Sequence, residues 1–153
     1  AGFDAVVNER ANQLRWPKGP MRYNLAILRE LPVFRAIPYR LVLDGERIDT
    51  EAMLVAVGNG PAYGGGMRVT PGASFDDGLL DVLILSKIST FEFLRVFPQV
   101  FKGSHVSHPA VQILQARSVR LEASGIVSYA DGERFAPLPM TMEVVPGALT
   151  VLA

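Results

Sequence analysis

The tetrapeptide Asp-Gly-Glu-Arg occurs twice, in RLVLDGERIDTE (residues 40–51) and in VSYADGERFAPL (residues 127–138). Asp-Gly between two apolar, alternating runs is a strong short-range signal for antiparallel strands, because both residues tolerate the positive φ of a tight turn. Arg40 to Asp44 alternates as a strand should, and Glu51 to Val57 reads as the next one, with a connection longer than a minimal hairpin. From Val111 onward the pattern repeats. Val119, Leu121 and Ala123 alternate with Ser118, Arg120 and Glu122, and GIVSYA, MTMEVV and ALTVLA follow between Gly or Pro turns. A chain punctuated in this way is committed to a mainly antiparallel β framework.

Helical spacing is confined to three places. Phe3, Val6, Val7, Ala11 and Leu14 share a face that Pro17 and Gly19 end. A second helix is predicted from Pro20 to about Leu31, with Met21, Leu25 and Leu28 on one side. Ser89 and Glu92 form an S-x-x-E capping box ahead of FEFLRVFPQVF. Phe91, Leu94, Phe97 and Phe101 are expected to form that helix's apolar face, and Pro98 to kink or stop it. With 153 residues, 49% of them hydrophobic, one α+β domain with a sizeable core is the expected class.

Composition excludes several functions. Lys+Arg and Asp+Glu both total 15, so the basic excess of a nucleic-acid binder is missing. With no cysteine there is no disulfide framework, thiolate metal site or thiol nucleophile. The charge-free run Ala52 to Met67 holds five glycines and a proline, which no bilayer-spanning helix carries in such density. A cytosolic setting is expected. Between Arg10 and Arg40 seven basic residues (Arg10, Arg15, Lys18, Arg22, Arg29, Arg35, Arg40) face one acid, Glu30, as either a solvated face or a contact for anionic lipid headgroups.

Three further stretches invite chemistry. GNGPAYGGG lacks both the dinucleotide spacing and the Gly-Lys-Ser/Thr of a P-loop, so its glycines are open to a packing role. ASFDDGLLD clusters Asp76, Asp77 and Asp81 and is either an Asp-Gly turn or a site for a hard cation such as Mg²⁺. His105 and His108 fall in a Gly- and Pro-bounded segment, read as a surface loop without a third ligand. In the second Asp-Gly-Glu-Arg, Asp131 and Glu133 share a side if the chain is extended, where a carboxylate could accept a proton from an attacking hydroxyl.

Together GFDAVV, GNGPAYGGGMRVTPGASFDDGLLDV and ADGERFAPLPMTMEVVPGALTVLA resemble the diacylglycerol kinase-like lipid kinases, which include bacterial diacylglycerol kinases and, more distantly, sphingosine and ceramide kinases. The resemblance runs end to end. It implies the mainly antiparallel, β-sandwich-like C-terminal domain of the NAD kinase/diacylglycerol kinase-like fold, residues 1–153 forming that single domain. It also implies a missing partner, the N-terminal nucleotide-binding domain with its glycine-rich loop, without which the piece is inactive. The implied roles are Mg²⁺ held by Asp77 with Ser74 and Leu79 carbonyls, a site that organises structure, and catalysis by Asp131 and Glu133, of which Glu133 is preferred as proton acceptor. ATP would be co-substrate and a diacylglycerol-like lipid the phosphoryl acceptor. A cytoplasmic enzyme peripheral to the inner membrane face, with a homodimer among its options, is the implied setting. Alternatives are a non-catalytic lipid-binding domain and a nicotinamide-nucleotide kinase relative.

Overall fold

In the computed structural model of the chain, residues 1–13, 16, 20–63, 66–131 and 133–150 are described. Two helices, α1 (Phe3–Gln13) and α2 (Pro20–Glu30), precede strands β1 (Ile37–Leu43), β2 (Glu46–Gly58) and β3 (Leu80–Ser86). Helix α3 (Thr90–Val96) runs into 3-10 turns at Phe97–Phe101 and Ser104–Ser107. Strands β4 (Val111–Ala116), β5 (Ser118–Glu122), β6 (Val127–Ala130), β7 (Glu133–Pro137) and β8 (Met140–Glu143) complete the chain. All strand pairs are antiparallel, in a six-stranded sheet of order β4-β3-β2-β1-β5-β8 and a separate β6-β7 hairpin.

That order hides a sharp bend. Only Arg117 separates β4 from β5, yet β3, β2 and β1 lie between them in the sheet. The sheet must therefore curl until its two halves face each other, with residues 111–122 crossing from one layer to the other. Strand β2 crosses as well. Its first half pairs with β1 and its second with β3, with a register shift between Ala52 and Leu54. Strands that change layer at a bend or bulge are the corners of a sandwich.

The inner faces meet as one core. Leu41, Val119 and Leu121 from one layer and Val55, Val82 and Ile84 from the other are buried in the same cluster. Each such side chain contributes roughly 1.5–3 kcal/mol on leaving water. The outer face of the β4-β3-β2 layer is apolar too, through Met53, Ala56, Leu83 and Leu85, and the helices cover it. Phe3 stands edge-on to Phe34 at 5.3 Å and to Phe93 at 5.2 Å, joining α1, the segment after α2, and α3. The other outer face is solvent-exposed and carries the ion pairs Arg40–Asp49 (3.2 Å), Arg40–Glu122 (3.3 Å) and Arg47–Asp49 (2.7 Å).

The first Asp-Gly turn is tighter than the spacing suggests. Leu43 pairs with Glu46, so Asp44-Gly45 alone makes the turn, with φ of 49° and 94°. Asp44 also serves the corner. Its Oδ1 accepts the N–H groups of Arg117 (2.9 Å) and Ser118 (2.8 Å), and its own N–H donates to the Ser118 carbonyl (3.0 Å). No strand forms at Met67 to Val69. Leu14 and residues 151–153 of the last predicted strand lie outside the described residues.

Two helix faces differ from expectation. On α2, Met21 and Leu25 are exposed and Ala26 is buried, while the Leu28 side chain lies outside the described ones. On α3 the capping box forms as predicted, with the Glu92 N–H donating to Ser89 Oγ at 3.2 Å, and the α-helix ends just before Pro98. Its inward residues, however, are Phe93 and Val96, whereas Phe91 is 78% exposed. The aromatic cage of Phe3 and Phe34 fixes which side of α3 faces in. Accordingly, Phe93→Ala is expected to cost about 3–5 kcal/mol in equilibrium denaturation, and Phe91→Ala less than about 0.5 kcal/mol. Equal losses would place the wrong face against the sheet.

Candidate functional site

The glycine-rich stretch between β2 and β3 is held by close packing. A side chain at Gly58 would come within 2.6 Å of Thr70 Oγ1, and one at Gly60 would strike the Phe75 ring. Thr70 is fully buried and its hydroxyl donates to the Gly60 carbonyl at 2.8 Å. These two glycines therefore let backbone and side chains approach, as the packing alternative requires. Gly64 and Gly65 lie outside the described residues.

The segment after α3 clamps the far end of the same stretch. The Arg68 N–H donates to the Val100 carbonyl (3.0 Å), and Gly103, at φ 73°, sits against Pro71. His105 is 3% exposed, with Nε2 3.0 Å from the Val69 carbonyl. A carbonyl can only accept, so Nε2 carries the proton, and Nδ1 has no partner. Burial holds this imidazole below the usual histidine range, partly opposed by the Val69 hydrogen bond. His105 is thus a buried brace rather than part of a surface loop. His108 faces Glu92, at 3.3 Å, and accepts the Ala110 N–H at Nδ1 (3.2 Å).

Beyond the clamp lies the acidic turn. Asp77 is exposed and its Oδ1 accepts the Leu79 N–H at 2.9 Å across Gly78, which has φ 69°. Ser74 Oγ donates to Asp76 Oδ1 at 2.6 Å. Asp81 is the second residue of the buried run of β3, at 2% exposure, its carboxylate 3.4 Å from the Gln115 amide. Burial pushes the Asp81 carboxyl up; Gln115 opposes this, and the nearby charge of Asp77 adds to it. The turn offers oxygen donors only, a side-chain carboxylate among closely spaced backbone groups, which suits a hard, partly hydrated Mg²⁺. Among the described residues no three His, Asp or Glu side chains are placed to share a metal, so backbone carbonyls and water would supply the rest.

The second Asp-Gly-Glu-Arg is also a hairpin turn. Ala130 pairs with Glu133, and Asp131 has φ 51°, matching the conformation of Asp44. The extended-chain argument for a shared side of Asp131 and Glu133 therefore does not apply, and Gly132 lies outside the described residues. Both carboxylates are exposed at the hairpin tip.

What surrounds this turn sets it apart. Burial raises the Tyr63 hydroxyl far above the usual tyrosine range, and the charges of Asp4 and Asp131 raise it further. Tyr129 on β6 is raised by burial and by the charges of Glu9 and Asp4 on α1. Asp4 at the start of α1 and Asp131 in the hairpin thus both act electrostatically on Tyr63 in the glycine-rich stretch. Those are the three stretches that carry the family resemblance. The sequence reading did not single out Asp4 or Tyr63, although both lie inside motifs it quoted, GFDAVV and GNGPAYGGG. Asp77 has other neighbours, Asp81 and Leu79.

The basic stretch from Arg10 to Arg40 does not form one surface. Arg10 pairs with Glu30, while Arg40 sits on the opposite outer face with Asp49 and Glu122. Arg15 and Lys18, and the Arg22 side chain, lie outside the described ones. An open groove of about 830 Å³ lies over Tyr39, Arg40, Thr50 and Glu51 and is lined by none of Asp77, Asp131 or Glu133. Its wide opening over a charged sheet face argues against it as the reaction site.

The whole chain, residues 1–153, matches the family described as the YegS C-terminal NAD kinase beta sandwich-like domain. It is 47% identical over 152 residues to a diacylglycerol kinase of Mycobacterium tuberculosis (strain CDC 1551 / Oshkosh), covering 99% of this chain and 49% of the relative. A diacylglycerol kinase of Bacillus subtilis (strain 168) is 29% identical over 129 residues, 84% of this chain and 43% of its own length. A crystal structure of a diacylglycerol kinase from Bacillus anthracis str. Sterne superposes with a TM-score of 0.64 at 27% identity, covering 84% of this chain and 44% of that one. The chain spans about half the length of the curated relatives it matches.

The buried, neutral His105 has a measurable consequence. Its folded pKa lies below the unfolded value of about 6.5, so the unfolded chain binds more protons and stability falls as pH drops below that value. Comparing urea midpoints near pH 7.5 and pH 5.5, we expect a smaller acid loss in His105→Gln than in the wild type. An identical acid loss would show that His105 takes no part.

Proposed function

The chain belongs to the family of YegS C-terminal NAD kinase beta sandwich-like domains, and on that premise we propose that it is the C-terminal part of an ATP-dependent lipid kinase. The substrate class is diacylglycerol or a related lipid, phosphorylated on its primary hydroxyl. The family match over residues 1–153 carries this reading, and the exposed Asp131 and Glu133 at the hairpin tip offer it carboxylates. The names of the relatives supply the chemistry, and their greater length leaves room for an N-terminal nucleotide-binding domain as this chain's partner.

In this reading Glu133 takes the proton of the lipid hydroxyl as that oxygen bonds to the transferred phosphorus, and Asp131 holds the hydroxyl in line. The bond from phosphorus to the ADP oxygen breaks in the same displacement, so charge moves outward onto the nucleotide. Such a reaction needs positioning and charge neutralisation more than covalent help. An exposed hairpin tip suits a base that must meet a second domain and a membrane-borne substrate, with water leaving only when both arrive. Bound Mg²⁺ would neutralise charge at the acidic turn, held by Asp77 with the Ser74 and Leu79 carbonyls. Its role there is to fix the turn between the glycine-rich stretch and β3. The enzyme would work at the inner face of the cytoplasmic membrane. No helix of the described residues is long and apolar enough to cross one.

Two measurements test the assignment. In the protein as encoded, Glu133→Gln is expected to lower kcat for lipid phosphorylation by roughly 10²–10⁴ with the melting temperature unchanged, since the side chain is exposed. Wild-type kcat in that variant would remove Glu133 from the mechanism. For the metal, saturating Mg²⁺ is expected to raise stability by about 2.7 kcal/mol at a hundred times Kd, and Asp77→Asn to abolish the increment. A full increment in Asp77→Asn would place the cation elsewhere.

A further inference from the structure

We propose that the outer face of α3 and of the 3-10 turn continuing it is a docking surface for an anionic lipid bilayer. Phe93 and Val96 are the residues this segment buries, so the opposite side is free to face outward. That side carries Phe91, 78% exposed, Leu94, and Phe101, 49% exposed. Phe91 and Leu94, three apart, share a side of α3, and Phe101 ends the 3-10 turn that continues it, edge-on to Phe97. Three aromatic or aliphatic side chains left in water along one short segment mark an interaction surface rather than scattered exposure.

The charge around the stripe selects the occupant. Lys87, Arg95 and Lys102 are all exposed along the same segment. Between Lys87 and Lys102 the sole acid is Glu92, and its carboxylate is turned to the Ser89 N–H and to His108. The rim therefore presents cations beside aromatic side chains, the composition of a helix that lies in a bilayer interface. Each cation near an anionic leaflet adds to the attraction, and the apolar stripe supplies the part that salt does not screen. A second copy of the chain fits less well, because a two-fold contact through this stripe would bring the same three cations together. The choice of a bilayer rests on the lipid-kinase reading, since such an enzyme meets its substrate at a membrane; the surface itself is defined without it.

The test is cosedimentation of the protein as encoded with vesicles of phosphatidylcholine alone and of equal parts phosphatidylcholine and phosphatidylglycerol. Binding is expected to the anionic vesicles and to weaken as salt is raised. The double substitution Phe91→Ser with Phe101→Ser is expected to weaken it at least about tenfold. The triple substitution Lys87→Gln, Arg95→Gln and Lys102→Gln is expected to remove the preference for anionic over neutral vesicles. Both variants should phosphorylate detergent-dispersed lipid as the wild type does. Wild-type vesicle binding by either variant overturns the proposal. So does a dimer that dissociates in the phenylalanine variant while vesicle binding persists, since the stripe would then face a second copy. Vesicle binding through the stripe by a protein that phosphorylates no lipid would sustain the docking surface and sink the kinase reading.

Discussion

The corner held by Asp44 is the constraint on which the rest of the structure depends. Residues 111–122 must leave one layer and join the other across a single residue, Arg117. A chain that bends so sharply exposes backbone N–H groups that no strand can satisfy, and unpaired donors are costly. The Asp44 carboxylate accepts two of them, from Arg117 and Ser118. It can reach them because the β1-β2 turn is only two residues long and left-handed. One hairpin turn thereby fastens the two layers together, and the buried cluster of Leu41, Val119, Val55 and Ile84 closes beneath it.

The site follows from the other side of the same sheet. Because the β4-β3-β2 layer has a second apolar face, through Met53, Ala56, Leu83 and Leu85, α1 and α3 pack there. That packing places Asp4 at the start of α1 within electrostatic reach of Tyr63. The glycine-rich stretch is anchored at Gly58 and Gly60 by tight contacts and at Val69 by His105. The Tyr63 hydroxyl donates to the Val57 carbonyl and the Tyr63 N–H to the Met67 carbonyl, which hold the residue in position. Fold and candidate chemistry are joined through these contacts, not through the large groove on the charged face.

Much of this was legible in the residues. Both Asp-Gly turns, the buried β3 run, the capping box and the stop near Pro98 follow from local rules that act within a few positions, and the family resemblance brought the acidic turn and the second hairpin into view. The misread parts depend on what lies across space. Spacing by residue type chose Phe91 for the core, but Phe3 and Phe34, far away in sequence, select Phe93. His105 looked like loop because its burial partner, Val69, is distant along the chain. The layer change at Arg117 has no local signature, for each half of 111–122 is an ordinary strand. Nor could spacing tell the two Asp-Gly turns apart. Asp44 and Asp131 share a positive φ, and only their neighbours give Asp44 a structural task and Asp131 an electrostatic effect on Tyr63.

The central claim is that identical tetrapeptides do different work, and paired alanine substitutions test it most directly. Asp44→Ala and Asp131→Ala remove the same side chain at nearly the same positive φ, 49° and 51°, so the strain that alanine meets there is common to both. Their difference in unfolding free energy therefore reports the corner alone. Urea denaturation is expected to show Asp44→Ala less stable than Asp131→Ala by about 1–2 kcal/mol. Equal losses would contradict the account, because Asp44 would then be no more than a turn residue.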